Sequence, residues 1–170
     1  RSVGEILSMI RTLGAMVGAG QRADELVCAY QNKIDRSLAR TADLPRRPKV
    51  YFEEWDDPQI SGIRWVSELI GIAGGDDVFP ELAVCPDGKS RIIADPEEVI
   101  RRVPDIIIGS WCGKKFRPEK VAARQGWDVI PAVRNGDIYE IKSAEILQPG
   151  PAALTDGLDQ SKKIINAWTV

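Results

Sequence analysis

Apolar residues recur at three- and four-residue steps near the start of the chain: Val3, Ile6, Leu7, Ile10, Leu13 and Val17. That spacing is one face of an α-helix, and Ser2 with Glu5 supplies a capping-box pair at its start. Gly18 and Gly20 close it. A second helix is predicted from about Gln21 to Arg40, with Leu26, Tyr30, Ile34 and Leu38 at strict four-residue spacing and no breaker before Asp43-Leu44-Pro45. About 20 residues would extend roughly 30 Å. The stripe is narrow, and Arg22, Asp24, Glu25, Lys33, Asp35, Arg36 and Arg40 occupy the other faces. Such a helix lies along a surface rather than through a core.

The pattern changes at Pro45-Arg46-Arg47-Pro48, a short stiff connector. Beyond it, Lys49 to Glu53 reads as a strand and Ile63 to Ala73 as an amphipathic helix closed by Gly74-Gly75. Arg91 to Ala94 is expected as a short strand. Asp95-Pro96-Glu97-Glu98 then places cap, proline and acids in the order of a helix start, running through Arg102. Asp105 to Gly109 is short, continuously apolar and β-branched, the pattern of a strand buried on both faces. A loop, Ser110 to Phe116, leads into a helix over Pro118 to Arg124. Trp127 to Ile130 and, after the turn Asn135-Gly136, Asp137 to Ile141 are further strand expectations; a last helix covers Pro151 to Trp168. Strands separated by helices predict an α/β fold, a parallel or mixed sheet flanked by helices on both faces.

Composition narrows the chemistry. The 170 residues are 44% hydrophobic and 28% charged, with a formal charge of −2. That gives no electrostatic reason to expect nucleic acid. The basic pairs (Arg46-Arg47, Arg101-Arg102, Lys114-Lys115, Lys162-Lys163) mostly have acids close by and read as solvated faces. There is no histidine. A Ser-His-Asp triad, a Cys-His dyad and the usual histidine-containing zinc sites cannot be built within the chain, so no metal or cofactor is expected. Cys28, Cys85 and Cys112 lack metal-ligand spacing and allow at most one internal disulfide. No apolar run of about 18 residues predicts a transmembrane segment. The chain opens at Arg1 with neither a methionine nor a signal-type segment, and is expected to be cut from a longer one.

In parallel sheets, ligands sit outside the carboxyl ends of the strands. That rule selects three loops: Glu54 to Ser61, Ser110 to Phe116, and Lys142 to Gly150. The first two carry Trp55 and Trp111. One tryptophan in such a loop usually packs locally; two on one edge point to a flat, partly apolar ligand.

These segments resemble a known family. Tyr51 to Phe79 (YFEEWDDPQISGIRWVSELIGIAGGDDVF), Ala94 to Ile108 (ADPEEVIRRVPDIII) and Leu147 to Asp159 (LQPGPAALTDGLD) are similar to the C-terminal lobe of the cobalamin and iron-siderophore solute-binding proteins of ABC importers. The resemblance implies two α/β lobes bridged by one rigid helix, a ligand clamped between them, and delivery to an ABC permease. On that basis residues 1–20 would be the last helix of a truncated N-terminal lobe, 21–44 the connecting helix, and 45–170 the C-terminal lobe. It also implies a periplasmic or membrane-anchored extracytoplasmic location.

By the same resemblance, Glu97 matches the family glutamate that pairs with permease arginines; acids in a first helical turn also stabilise it through the helix dipole without any partner. Glu54 and Trp55 match the first loop that touches the corrin in cobalamin binders. Trp111 lies in the next loop, and Glu145 and Gln148 lie in the third. The segment Cys85 to Ser90 lacks the aromatic that cobalamin binders often place there. The expected ligand is a corrinoid, with a ferric siderophore or haem as the alternative.

Other functions fit these residues less well. Cys112 precedes Gly113-Lys114-Lys115, whose charge favours a thiolate, but a nucleophile there lacks a histidine base. A nucleotide-binding enzyme needs a glycine-rich turn after the first strand. Gly14, Gly18 and Gly20 lie in the helical region instead, and the turn after Glu53 is acidic (Glu54, Asp56, Asp57). A protein-interaction module is the remaining alternative. No enzymatic activity is expected.

Overall fold

The computed structural model describes residues 2–169. Helices α1 (Val3–Met16) and α2 (Gly20–Thr41) come first, followed by β1 (Lys49–Asp56), β2 (Gln59–Ser61), α3 (Arg64–Ala73) and β3 (Asp76–Asp77). Then come α4 (Pro80–Ala83), α5 (Glu97–Arg102), β4 (Ile106–Gly109), α6 (Pro118–Ala122), α7 (Pro131–Asn135), β5 (Ile138–Glu140) and α8 (Ser143–Ile146). A π-helical turn, Ala153–Gly157, runs directly into α9 (Leu158–Thr169).

The sheet is mixed and runs β2-β1-β4-β5, with β3 beside the start of β1. β1 pairs in parallel with β4 and β3, β4 in parallel with β5, and β1 antiparallel with β2. Alternation along the central strands feeds two cores. Val50, Phe52, Ile106 and Ile108 face the cluster built by α1, α2, α3 and α9, whereas Tyr51 and Ile107 face a second cluster with Phe79, Trp111, Phe116 and Trp127. This is the α/β sheet with helices on both faces that the pattern predicts.

Local chemistry explains several boundaries. Ser2 and Glu5 form the expected capping box, with Ser2 Oγ accepting from Glu5 N at 3.2 Å and Glu5 accepting from Ser2 N at 2.7 Å. α3 stops at Gly74, whose φ of +99° is open to glycine and strained for other residues. At α5, Asp95 Oδ1 accepts from Glu97 N at 3.0 Å. The connector is pinned rather than loose: Arg47 donates to Asp76 and to the carbonyls of Gly71 and Gly75, and Arg46 pairs with Asp105 while lying over the Trp168 ring.

Several sequence expectations need correction. The buried face of α2 is Ala23, Val27, Ile34, Ser37 and Thr41, at steps of four, seven, three and four, and not the strict four-residue row. Leu26 and Leu38 are 38% and 46% exposed. A step of four residues overshoots one full turn by about 40° each time, so such a row drifts off the contact line. On α1 the buried stripe stops at Ile10, leaving Leu13 and Val17 exposed.

Two expected strands are absent. Trp127–Val129 is a 3₁₀ turn entered through Gly126 at φ +77°. Its amides are used locally, Trp127 N to Arg124 O and Ile130 N to Trp127 O, so they cannot join a ladder. Lys89–Arg91 is likewise a 3₁₀ turn, and the stretch contributes one antiparallel bridge, Ile60 to Ile92.

Candidate functional site

The carboxyl end of β1 concentrates the polar chemistry. Glu53 is 0% exposed, at the last position of β1 that pairs with β4. A buried carboxylate is tolerable only when its oxygens are fully engaged. Here they accept from Tyr51 Oη at 2.9 Å, Trp111 Nε1 at 3.0 Å, and both amino groups of Arg124 at 2.6 and 2.9 Å. Burial first, and then the Glu53 charge, push the Tyr51 pKa well above its ordinary value. Burial opposes the Arg124 charge, yet its bonds to Glu53 outweigh that and raise its pKa.

This network orients Trp111. Its ring is buried, edge-on to Phe116 with centroids 4.8 Å apart. Phe116 in turn lies flat against the backbone of Gly109, where an added Cβ would meet the ring at 1.8 Å. Only glycine lets β4 end under that aromatic. Trp55 is half-buried and donates from Nε1 to the Asp57 carbonyl at 2.9 Å, across a hairpin whose Asp57-Pro58 peptide bond is cis. The Lys114 ammonium joins the two tryptophans, 4.5 Å from the Trp55 centroid and 4.9 Å from that of Trp111, and pairs with Asp56. The ring quadrupole attracts a cation over an indole face, modestly at an exposed position such as Lys114.

The other predicted residues stand apart from this pair. Glu54 is held by Arg91 through two bonds, at 2.6 and 3.1 Å; Arg91 is buried and also donates to Ser61 O. Glu54 therefore clamps β1 to the segment after α4, and does not stand free for a ligand. Glu145 is half-buried and accepts from Gln160 at 2.6 Å, while Gln148 is exposed. Ile146 and Leu147 beside them pack on the first core, whereas Trp55 and Trp111 pack on the second. Glu97 is exposed, 78% by side chain, and reaches Arg101 at 3.5 Å.

Sequence reasoning missed Glu53, Arg124 and Lys114 as the organisers of this edge. One signal was legible: an acid in the inward register of an otherwise apolar strand. Arg124 and Lys114 carry no such signal, because their partners are distant in sequence. Also missed was a mainly apolar groove of about 390 Å³ that borders the third loop at Pro149, lined by Ile6, Met9, Ile63 and Trp65. Trp65 is fixed there by its Nε1 bond to Ile146 O at 2.8 Å.

The three cysteines are free. Among the described residues, no cluster of three or more His, Cys, Asp or Glu could hold a metal ion, and no helix is long and apolar enough to cross a membrane.

Comparison with known proteins gives a consistent picture. The family model described as periplasmic binding protein matches residues 1–145. An uncharacterized ABC transporter substrate-binding lipoprotein, YvrC, of Bacillus subtilis is 21% identical over 165 residues, 94% of this chain and 49% of that protein. The chain thus spans about half the length of this curated relative. The haem complex of IsdE from S. aureus superposes with a TM-score of 0.79 at 19% identity, covering 96% of this chain and 65% of that one. The vitamin B12 binding protein BtuF of Vibrio cholerae gives 0.71 at 19% identity, covering 98% and 62%. At these identities the structural matches establish the fold; the family model, covering most of the sequence, establishes descent. The chain belongs to the periplasmic binding protein family.

Proposed function

We propose that this chain is the C-terminal part of the solute-binding component of an ABC importer, and that the whole protein encloses a corrinoid ligand between two lobes and delivers it to a membrane permease. Residues 1–20 would belong to the N-terminal lobe, 21–44 to the connecting helix and 45–170 to the C-terminal lobe. One observation carries the ligand class: the half-buried Trp55, with the Lys114 ammonium over its ring, stands at the carboxyl edge of the sheet as an aromatic contact for a flat macrocycle, whereas Trp111 is buried and packs in the second core. The fold is shared alike with a vitamin B12 binding protein and with haem-binding proteins.

A ferric siderophore or haem is the second reading. The Lys114 ammonium favours it, since such chelates carry anionic groups. Against a tyrosine-ligated haem, Tyr51 is fully buried on Glu53, and the Tyr139 hydroxyl donates to Asp137 at 3.0 Å. Binding here is a clamp, with no bond made or broken. The role of Glu97 in permease docking and a location outside the cytoplasmic membrane, as in the lipoprotein relative, belong to the same proposal.

The test is a calorimetric titration of the full-length protein and of this chain with cobalamin, cobinamide, haem and a ferric siderophore. Corrinoid binding by the full-length protein, with the chain alone at least about tenfold weaker, is expected because half the cleft is missing. Binding of haem or siderophore without any corrinoid would replace the first reading by the second.

A further inference from the structure

Val103 ends α5 in the left-handed region, at φ +52° and ψ +59°. Among the described residues it is the one non-glycine with positive φ. Two features of its chemistry oppose that conformation. A β-branched side chain crowds the backbone there, so such a position ordinarily falls to glycine or asparagine. Pro104 follows, and a proline pushes the residue before it toward extended backbone. Strain of this kind persists only where the surroundings over-determine it.

The surroundings are fixed on both sides. Before Val103, Arg102 lies over the Phe79 ring, 4.0 Å from its centroid, pairs with Glu81 at 2.6 Å and donates to the Val78 carbonyl. Val99 is fully buried in the second core, the cluster that also holds Trp111 and Phe116. After Val103, Pro104 O accepts from Ala132 N at 3.1 Å, and Asp105 N donates to Lys49 O at 2.8 Å. The start of α5 is different. Asp95, Glu97 and Glu98 all pair with Arg101, and among the described residues no ion pair joins that start to another element.

We infer that α5 is a two-position element hinged at Val103. Arg102 holds it docked and strained; release lets Val103 return to extended backbone and the helix swing away from the second core. The use of this hinge rests on the docking reading above, in which Glu97 meets the permease. A partner shifts such an equilibrium by binding one position better, and here the permease binds the released one. Loosening the core that holds Trp111 then lowers ligand affinity, so docking is coupled to release. Arg102 is a positioning residue in this device.

The experiment has an arm on this chain alone and an arm on the full-length protein. Val103→Asn keeps a Cβ but tolerates the left-handed region. It should raise the thermal midpoint of the chain by about 2–5 °C and slow hydrogen exchange at residues 100–103 relative to β4. Val84→Asn makes the same replacement at an exposed valine with φ −76° and should give no rise. Arg102→Met should speed exchange in α5 ahead of β4. In proteoliposomes with the permease, full-length Val103→Asn should bind ligand like the wild type but deliver it about fivefold more slowly. An unchanged or lowered midpoint in Val103→Asn, an equal gain in Val84→Asn, or α5 exchange that tracks β4 in every variant would overturn the hinge. Delivery at the wild-type rate would overturn its coupling to docking. Failure of the unmodified full-length protein to bind any of the ligands or the permease would instead overturn the function proposed above, and the hinge would stand or fall on the chain-alone arm.

Discussion

Arg124 closes on Glu53 with both amino groups, at 2.6 and 2.9 Å, joining the segment after α6 to the inner end of β1. The carboxylate is wholly buried, so removing the cation strands a charge. Breaking a buried pair on one side costs about 3–5 kcal/mol, whereas replacing both partners by neutral groups can cost far less. Arg124→Met should therefore lower unfolding free energy by about 3–5 kcal/mol in urea titrations. Adding Glu53→Gln should recover a substantial part. If the double variant is no more stable than Arg124→Met, the charge is not what makes the loss large.

Tyr51 donates to the same carboxylate, and burial holds its proton well above the ordinary value of 10.0. The folded state thus keeps a proton that the unfolded state releases. By linkage, this stability is fully present below pH 10 and is lost as pH climbs above it toward the folded pKa. Absorbance titration of phenolate should show Tyr51 ionising only with alkaline unfolding. Tyr51→Phe should flatten stability against pH above 10 and cost about 1 kcal/mol at neutral pH.

Gly109 admits the Phe116 ring where any side chain would collide with it. Gly109→Ala is expected to cost about 2–3 kcal/mol, the scale of core overpacking. Because Phe116 is edge-on to Trp111, the near-ultraviolet dichroism of the indoles should change as well. Gly109→Ala with Phe116→Leu should regain part of the stability. No change in either signal would show that β4 shifts to absorb the methyl group.

Glu97 is exposed, and its polar contacts are to Arg101 in α5 and to Asp95 just before it. Glu97→Ala should leave the thermal midpoint and ligand affinity nearly unchanged, because first-turn acids contribute little singly. Association of the full-length protein with its permease should fall. Co-purification of the variant with the permease at the wild-type level would remove Glu97 from the docking surface.

Much of the candidate site was legible from sequence only as placement. Trp55 and Trp111 could be assigned to strand-end loops, because a parallel sheet exposes its carboxyl edge to ligands whatever else surrounds it. Glu54 looked equally available, yet it is committed to Arg91, 37 positions later. Lys114 read as one cation among several; the fold sets it over two rings at once.

The sequence by itself determined the elements whose signals are local. The α1 capping box, the buried strand Ile106–Gly109, the acidic start of α5 and the glycine end of α3 are all set by neighbours within a few residues. Only the tertiary structure decided which face of α2 is buried, that Trp127–Val129 is a turn, and that Glu53 is the buried hub at the carboxyl end of β1. The reason is the range of the interactions. Periodicity and capping act over one or two helical turns, whereas Glu53 meets Trp111 and Arg124 across 58 and 71 positions, and no local pattern encodes such a pairing.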